Sequence, residues 1–268
     1  MAQLPQRIVC LTEETTEVLY ALGEDWRIVG ISGFTVRPPQ ARREKPRVSA
    51  FTSAKIGRIL ELEPDLVLGF SDLQADIAAE LVRAGVEVHV FNQRSVAEIL
   101  RMIRTLGGMI GCEDKTRALI ESLESSLSDV RARAARLARR PRVYFEEWDA
   151  PQISGIRWVS ELVGLAGGDD CFPELAAQSL GRNRIVGDPL EVPRRAPDII
   201  LGSWCGKKFR PEAVAGRPGW SDVPAVRTGF VREIKSALIL QPGPAALTDG
   251  VEAIQAVIEE WARSRGAP

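Results

Sequence analysis

Residues 62–69 read Leu-Glu-Pro-Asp-Leu-Val-Leu-Gly, and residues 195–202 read Arg-Ala-Pro-Asp-Ile-Ile-Leu-Gly. In both stretches a Pro-Asp step opens a short, continuously apolar run that stops at glycine. Such a run is typical of a strand buried on both faces in a parallel sheet. Because internal similarity marks a repeated architecture, the two stretches predict two similar halves.

Other segments of the two halves support the same interpretation. Residues 7–11 and 142–145 predict the strands that open the first and second half. Residues 85–91 predict a further strand, and the capping box Ser95-Val96-Ala97-Glu98 begins a helix that runs to about residue 110. Strands that alternate with helices predict parallel sheets in both halves.

A long amphipathic helix is predicted between the halves. Its apolar residues recur every three or four positions: Leu119, Leu123, Leu127, Val130, Ala134 and Leu137. That spacing keeps one helix face apolar over about 25 residues, or about 40 Å, before Pro141 ends the helix. The predicted fold is α/β, with two Rossmann-like lobes of parallel sheets. Residues 1–111 form the N-terminal lobe, residues 112–140 the connecting helix and residues 141–268 the C-terminal lobe.

Charge and hydropathy exclude several kinds of partner. The 35 basic and 36 acidic residues give a net charge of -1, so the chain has no electrostatic footprint for nucleic acid. No apolar stretch reaches the roughly 18 residues of a membrane span. We therefore expect no membrane insertion. A monomer is also expected. Without a signal peptide it would be cytoplasmic, or periplasmic or extracytoplasmic if a leader was removed.

No pattern of catalytic or metal-binding residues stands out in the sequence. The four cysteines are far apart and predict buried free thiols: Cys10, Cys112, Cys171 and Cys205. His89 lies in an apolar strand and is interpreted as structural. Glu146 and Glu147 are strand neighbours that point to opposite faces, so they cannot flank one scissile bond. We predict no enzymatic activity, no catalytic residue, no metal site and no covalently bound cofactor.

The order of the elements and three motifs resemble the cobalamin and iron-siderophore family of periplasmic binding proteins, which serve ABC importers. The motifs are Val36-Arg37-Pro38-Pro39-Gln40-Ala41, residues 62–69 and Ser154-Gly155. The resemblance covers nearly the whole chain and is strongest to the cobalamin-binding component. It implies a protein that holds cobalamin or a related corrinoid, unchanged, in a cleft between two lobes, with an ABC permease as partner. Siderophores and haem are carried on the same scaffold.

Two alternatives stay open. The first is a cytosolic binding protein for a corrinoid, haem or siderophore-type metal chelate that is not coupled to a permease; four unpaired cysteines favour it. The second is a metal-dependent enzyme on the same fold that uses an acidic cleft.

Open α/β lobes bind ligands outside the carboxyl ends of their strands, and this rule predicts the ligand-binding residues. They are Glu13, Glu14, Phe34, Phe51, Phe70, Glu147, Trp148, Trp204, Gln241 and Pro242. Aromatic side chains offer wide apolar faces to a flat macrocycle. The resemblance places Phe51 and Phe70 where the cobalamin-binding component presents aromatic residues.

The predicted site is also rich in acidic residues. They are Glu13, Glu14, Glu146, Glu147 and Asp149. Such a concentration of carboxylates would repel an anionic ligand and favour a neutral or cationic one, although Lys207 and Lys208 nearby would offset it.

Overall fold

The chain separates into two compact units, each with its own sheet. The structure is a computed structural model that describes residues 4–266. Unit 1 comprises residues 4–93 and 97–122, and unit 2 comprises residues 94–96 and 123–266. The lobe boundaries drawn from the sequence remain predictions.

Unit 1 contains a five-stranded sheet in which all pairings are parallel. Its strands are Ile8–Cys10 (β1), Ile28–Ser32 (β2), Arg47–Ser49 (β3), Leu66–Phe70 (β4) and Val88–Phe91 (β5). They lie in the order β3-β2-β1-β4-β5, so the chain reverses its direction of winding between β1 and β4. In open α/β sheets a ligand crevice forms outside the carboxyl ends of the strands at this point.

Helices and short turns of helix connect the strands of unit 1. They are Glu13–Ala21, Ala41–Glu44, Ile56–Leu60, Ala75–Arg83 and Val96–Met109, with 3-10 turns at Asp25–Arg27 and Asp72–Gln74. One core cluster contains Val9 of β1, Leu11 directly after β1 and Val67 of β4, together with Ile77 and Leu81 of the helix Ala75–Arg83. The apolar runs of the sequence are therefore buried strands, as predicted.

Unit 2 has a second sheet that is mainly parallel. Its strands are Arg142–Asp149 (β6), Gln152–Ser154 (β7), Asp169–Asp170 (β8), Ile199–Gly202 (β9) and Val231–Glu233 (β10). β6 pairs in parallel with β9 and β8, and β9 with β10. β7 pairs antiparallel with β6, so the prediction of a purely parallel sheet is wrong at this strand. The chain folds back directly at residues 150–151, and such a tight turn joins antiparallel strands only.

The helices of unit 2 surround a core rich in aromatic residues. They are Arg157–Leu165, Pro173–Ala176, Glu191–Arg195, Pro211–Ala215, Pro224–Arg227, Ser236–Ile239 and Val251–Ser264, with a 3-10 turn at Gly181–Asn183 and a π-helical turn at Ala246–Gly250. Tyr144 packs edge to face against Phe172 and Trp220, with ring centroids 5.4 and 6.3 Å apart. This cluster joins β6 to the segments that carry Phe172 and Trp220.

The long predicted helix exists but is shorter than predicted. It runs from Glu113 to Ala134, 22 residues, rather than to residue 140. The backbone N–H groups of Arg136 and Leu137 donate to carbonyls three residues back, which tightens the last turn and ends the α-helix. Arg139 and Arg140 then form ion pairs elsewhere in unit 2, with Asp198 and Asp169. Pro141 therefore lies beyond the end of the helix and does not terminate it.

The repeated Pro-Asp step performs the same task in both units. Asp65 accepts the backbone N–H of Arg7 at 2.9 Å, and its own N–H donates to the Arg7 carbonyl at 2.9 Å. Asp198 accepts the N–H of Arg142 at 3.0 Å and donates to the Arg142 carbonyl at 2.8 Å. Each aspartate thus aligns the start of its own strand with the start of the neighbouring strand, which fixes the parallel register.

Replacing Asp198 with alanine is expected to lower the free energy of unfolding by about 1–3 kcal/mol, because the N–H of Arg142 loses its carboxylate acceptor. Urea unfolding measures the loss. Asp129→Ala, at an exposed position of the helix Glu113–Ala134, is the matched control and should change stability by less than about 0.5 kcal/mol. Equal effects of the two substitutions would contradict the role given to Asp198.

Candidate functional site

A buried glutamine organises the carboxyl edge of the unit 1 sheet. The side-chain oxygen of Gln74 accepts the backbone N–H of Phe70 at 2.9 Å. Its amide nitrogen donates to the carbonyls of Phe51 and Leu11, at 2.9 and 3.4 Å. Gln74 therefore joins the segments that follow β1, β3 and β4. Sequence reasoning missed this residue, because its partners are up to 63 positions away and no motif marks it.

The two acidic residues predicted after β1 are buried in the first turn of the helix Glu13–Ala21. Glu13 is 3% exposed, and its Oε1 accepts the backbone N–H groups of Val36 and Arg37 at 3.2 and 2.9 Å. Burial raises the pKa of Glu13 to about 7, although these two N–H groups act in the opposite direction. Glu14 is fully buried and accepts the hydroxyl hydrogen of Thr12. Both carboxylates hold protein groups at this edge.

The three phenylalanines predicted in unit 1 differ in exposure. Phe34, after β2, is 57% exposed, whereas Phe70, the last residue of β4, is 6% exposed. Phe51 is half-buried after β3. All three lie at the carboxyl ends of their strands, as predicted. Their binding role remains a prediction.

In unit 2 the carboxylate of Glu146 is fully buried and accepts four hydrogen bonds. The guanidinium of Arg217 donates to both oxygens, at 2.6 and 2.9 Å. The hydroxyl of Tyr144 donates to Oε2 at 3.1 Å, and the indole N–H of Trp204 donates to Oε1 at 3.0 Å. A buried carboxylate needs such donors, since its desolvation costs several kcal/mol. The network fixes the indole of Trp204, which is 3% exposed and packs against Phe209.

The other two carboxylates of β6 also face cations. Arg184 donates two hydrogen bonds to Glu147, at 2.6 and 2.9 Å. Lys207 donates to Asp149 at 2.6 Å. Each carboxylate of β6 is therefore matched by a positive charge, and Lys207 is one of the two lysines predicted to offset these acids. Whether the edge repels an anionic ligand stays a prediction. Sequence reasoning missed Arg184 and Arg217, which are 37 and 71 residues from their partners.

Trp148 and Trp204 come together around one lysine. The Nζ of Lys207 lies 5.4 Å from the ring centroid of Trp148 and 5.0 Å from that of Trp204. Trp148 is half-buried, and its indole N–H donates to the carbonyl of Ala150 at 3.0 Å. This bond holds the indole while part of the ring stays accessible.

Three buried polar atoms at the same edge have no hydrogen-bond partner among the described residues. They are Oδ1 of Asp149, Oε1 of Gln152 and Oγ of Ser203. Asp149 and Gln152 face each other in the pairing of β6 with β7. The backbone N–H of Ser203 donates to the carbonyl of Glu146, which joins the end of β9 to β6. A buried acceptor without a donor costs about 1–3 kcal/mol, so these atoms suit a ligand that supplies donors.

Two details of the predicted edge of unit 2 need correction. Gln241 and Pro242 follow the short helix Ser236–Ile239 and not a strand. Gln241 is half-buried and Pro242 is buried. Glu147 and Trp148 lie within β6, which continues to Asp149 because β7 supplies hydrogen-bond partners for its last residues.

The histidine and the cysteines form no metal site in the part of the chain that the structure describes. The ring of His89 packs against Phe91 at 4.3 Å, and burial lowers the pKa of His89. Cys10 is buried, but Cys112 and Cys171 are half-buried and Cys205 is exposed, so the prediction of buried thiols is wrong for these three.

Comparison with known proteins places the chain in a family. Residues 8–238 match the periplasmic binding protein family. The chain belongs to this family. The family and the α/β fold class are those that the sequence predicted. Among residues 4–266, no helix is long and apolar enough to cross a bilayer.

Three similar proteins illustrate the relationship. An uncharacterized ABC transporter substrate-binding lipoprotein of Bacillus subtilis, YvrC, is 26% identical over 257 residues, which span 92% of this chain and 78% of that protein. A vitamin B12-binding protein of Vibrio parahaemolyticus is 23% identical over 262 residues, 94% of this chain and 90% of that protein. The structure of the periplasmic heme-binding protein BhuT in complex with two hemes superimposes with a TM-score of 0.80 at 22% identity, over 96% of this chain and 98% of that chain.

These relationships bear on the function predicted from the sequence. They confirm a ligand-binding protein of the substrate-binding type. The family consists of binding proteins, which agrees with the prediction that the chain is not an enzyme. Its periplasmic members and the related lipoprotein give no support to the predicted cytoplasmic location.

Removing one partner of the Glu146–Arg217 ion pair is expected to destabilise unit 2 strongly. Arg217→Met leaves the fully buried Glu146 carboxylate without its cation and should cost about 3–5 kcal/mol of unfolding free energy. The double variant Arg217→Met/Glu146→Gln removes the charge as well and should recover much of the loss. Urea unfolding of all four proteins measures the coupling. Additive single effects would contradict the pairing.

Glu13 should make stability fall as the pH rises from about 4.5 to about 7. With a folded pKa of about 7 and an ordinary value of 4.5, the folded chain binds more protons than the unfolded chain in this window. The free energy of unfolding therefore decreases as the pH rises, by at most about 1.4 kcal/mol per pH unit. Unfolding at several pH values should show a smaller decline for Glu13→Gln than for the wild type. Glu61→Gln, at an exposed site, should retain the wild-type slope.

Proposed function

We propose that this protein is the substrate-binding component of an ABC importer and carries a metal-containing macrocycle, with cobalamin or a related corrinoid as the ligand. It works outside the cytoplasm as a monomer and hands its ligand to a permease. The observation that carries the ligand proposal is the group of unpartnered buried acceptors beside Trp148 at the carboxyl edge of unit 2.

The chemistry of a corrinoid matches this edge. A corrin is a flat ring whose rim carries amide groups, and amide N–H groups are the donors that Asp149 Oδ1 and Gln152 Oε1 lack. The half-buried indole of Trp148 supplies an apolar face for the ring. The vitamin B12-binding relative, which spans 94% of this chain, supports the same ligand.

The carboxyl edge of unit 1 carries its own set of candidate side chains. Phe34 is the most exposed of its aromatic residues, and Phe51 offers a half-buried ring. Glu13 and Phe70 help to shape this edge and do not contact the ligand in this proposal. Glu13 holds the backbone at Val36, and Gln74 holds the backbone of Phe70. Pro242 and Trp204 are buried and support the edge of unit 2, whereas Gln241 is half-buried.

Haem is the second candidate ligand. Its flat ring also fits Trp148, and its propionate groups would meet the cation of Lys207. The structural similarity to the heme-binding protein BhuT supports this candidate. Haem has no rim N–H donors for Asp149 and Gln152, so the unpartnered acceptors favour the corrinoid.

Titration of the purified protein with cyanocobalamin, followed by calorimetry and tryptophan fluorescence, tests the proposal. We expect saturable one-to-one binding that Trp148→Ala weakens about tenfold, since an aromatic contact contributes about 0.5–1.5 kcal/mol beyond its buried area. Trp26→Ala removes a 56% exposed indole that lies before β2, away from the carboxyl edge, and should leave binding unchanged.

Haem and a ferric siderophore are titrated in parallel as comparison ligands. Tighter binding of haem than of cyanocobalamin would replace the corrinoid by the second candidate. The proposal of a macrocycle carrier would be contradicted if neither ring bound at about 100 μM, a concentration that detects any ligand whose binding free energy is more favourable than about -5.5 kcal/mol.

A further inference from the structure

A lysine ammonium is held against two tryptophan rings at the carboxyl edge of unit 2. Lys207 follows β9 in a tight turn, in which Gly206 has a φ of 71° and the Lys207 N–H donates to the Trp204 carbonyl. This turn brings Nζ to 5.0 Å from the Trp204 centroid and 5.4 Å from the Trp148 centroid. Cation–π attraction to two indoles restrains an ammonium that would otherwise move freely.

Lys207 still has hydrogen-bonding capacity. An ammonium has three N–H donors, and among the described residues only Asp149 accepts one, at 2.6 Å. The side chain is 38% exposed, so the remaining donors are reachable from solvent. Arg184 and Arg217 differ from Lys207 because their guanidinium groups are largely buried, and each donates two hydrogen bonds to one carboxylate.

The acidic side chains near Lys207 are paired with cations, so they would not repel an anion. Glu146, Glu147 and Asp149 each face one cation: Arg217, Arg184 and Lys207. Lys208 adds a further exposed positive charge. An anionic group that reached Lys207 would therefore meet no unmatched carboxylate of β6.

We propose that Lys207 is a specificity-determining residue that binds an anionic oxygen group, a carboxylate or a phosphate, on the rim of a flat ligand that packs against Trp148. This inference rests on the proposed function. Lys207 keeps its bond to Asp149 and uses its other donors for the ligand. The two indoles and Asp149 hold the ammonium in place before binding, so little side-chain entropy is lost when the anion arrives.

Two pairs of probes test the proposal and separate the two anions. Cyanocobalamin and dicyanocobinamide differ in the nucleotide loop that carries the phosphate. Ferric protoporphyrin IX and its dimethyl ester differ in the free carboxylates. Dissociation constants are measured for the wild type, Lys207→Met and Lys208→Met. Methionine keeps a long apolar side chain against the indoles, and Lys208→Met removes an adjacent charge that contacts neither ring.

We expect the wild type to bind the anion-bearing member of one pair about tenfold more tightly than its partner. Lys207→Met should abolish that preference by weakening only the anion-bearing member, whereas Lys208→Met should keep it. A preference in the first pair identifies phosphate, and one in the second identifies carboxylate. Urea midpoints of the variants confirm that the fold is unchanged.

Three results would overturn the proposal. A preference that survives Lys207→Met would remove the role of Lys207, and equal losses in both lysine variants would assign the effect to net charge. Equal binding of both members of each pair by the wild type would overturn this inference while the proposed function stands. If the wild type bound none of the four probes, both this inference and the proposed function would be contradicted.

Discussion

The register of both sheets depends on one interaction, in which a Pro-Asp aspartate bonds to the backbone of a residue at the start of a neighbouring strand. Its carboxylate accepts the N–H of that residue, and its own N–H donates to the carbonyl of the same residue. Asp65 makes it with Arg7, and Asp198 makes it with Arg142. A parallel pair has no hairpin to set its alignment, so a side chain that holds the two strand starts together is valuable. With the starts aligned, the carboxyl ends of β1 and β4, and of β6 and β9, lie at a common edge of each sheet. The candidate binding residues at the ends of these four strands depend on that alignment.

At the carboxyl edge of the unit 2 sheet, ion pairs hold the side chains in place. The strand places three acidic side chains near one another, and each would be costly to bury alone. Distant cations resolve the problem in three different ways. Arg217 neutralises the fully buried Glu146 and thereby fixes Trp204, Arg184 fixes Glu147, and Lys207 pairs with Asp149 while remaining partly exposed. The first two pairs stabilise the edge, and the third leaves a cation with donors for a ligand.

The sequence predicts the fold well because the relevant signals are local. The repeated Pro-Asp step with its apolar run, the capping box at Ser95 and the spacing of the long helix each depend on residues a few positions apart. Errors occur where a distant partner decides. The long helix ends at Ala134, and Arg139 and Arg140, which were predicted to continue it, pair elsewhere in unit 2. β6 continues to Asp149 because β7 folds back onto it. Gln74 has a partner 63 residues away, and Arg184 and Arg217 lie 37 and 71 residues from the glutamates they pair with, which no local pattern reveals.

The central claim is that the carboxyl edges of the sheets, and not the opposite edges, bind a macrocycle. Amide hydrogen exchange with and without saturating cyanocobalamin tests it most directly. We predict slower exchange in the peptides that contain Trp148 to Gln152 and Ser203 to Lys207, with no change in those around Arg139 and Trp261 at the other end of unit 2. Protection confined to the region of Arg139 and Trp261, with the carboxyl edges unchanged, would contradict the account.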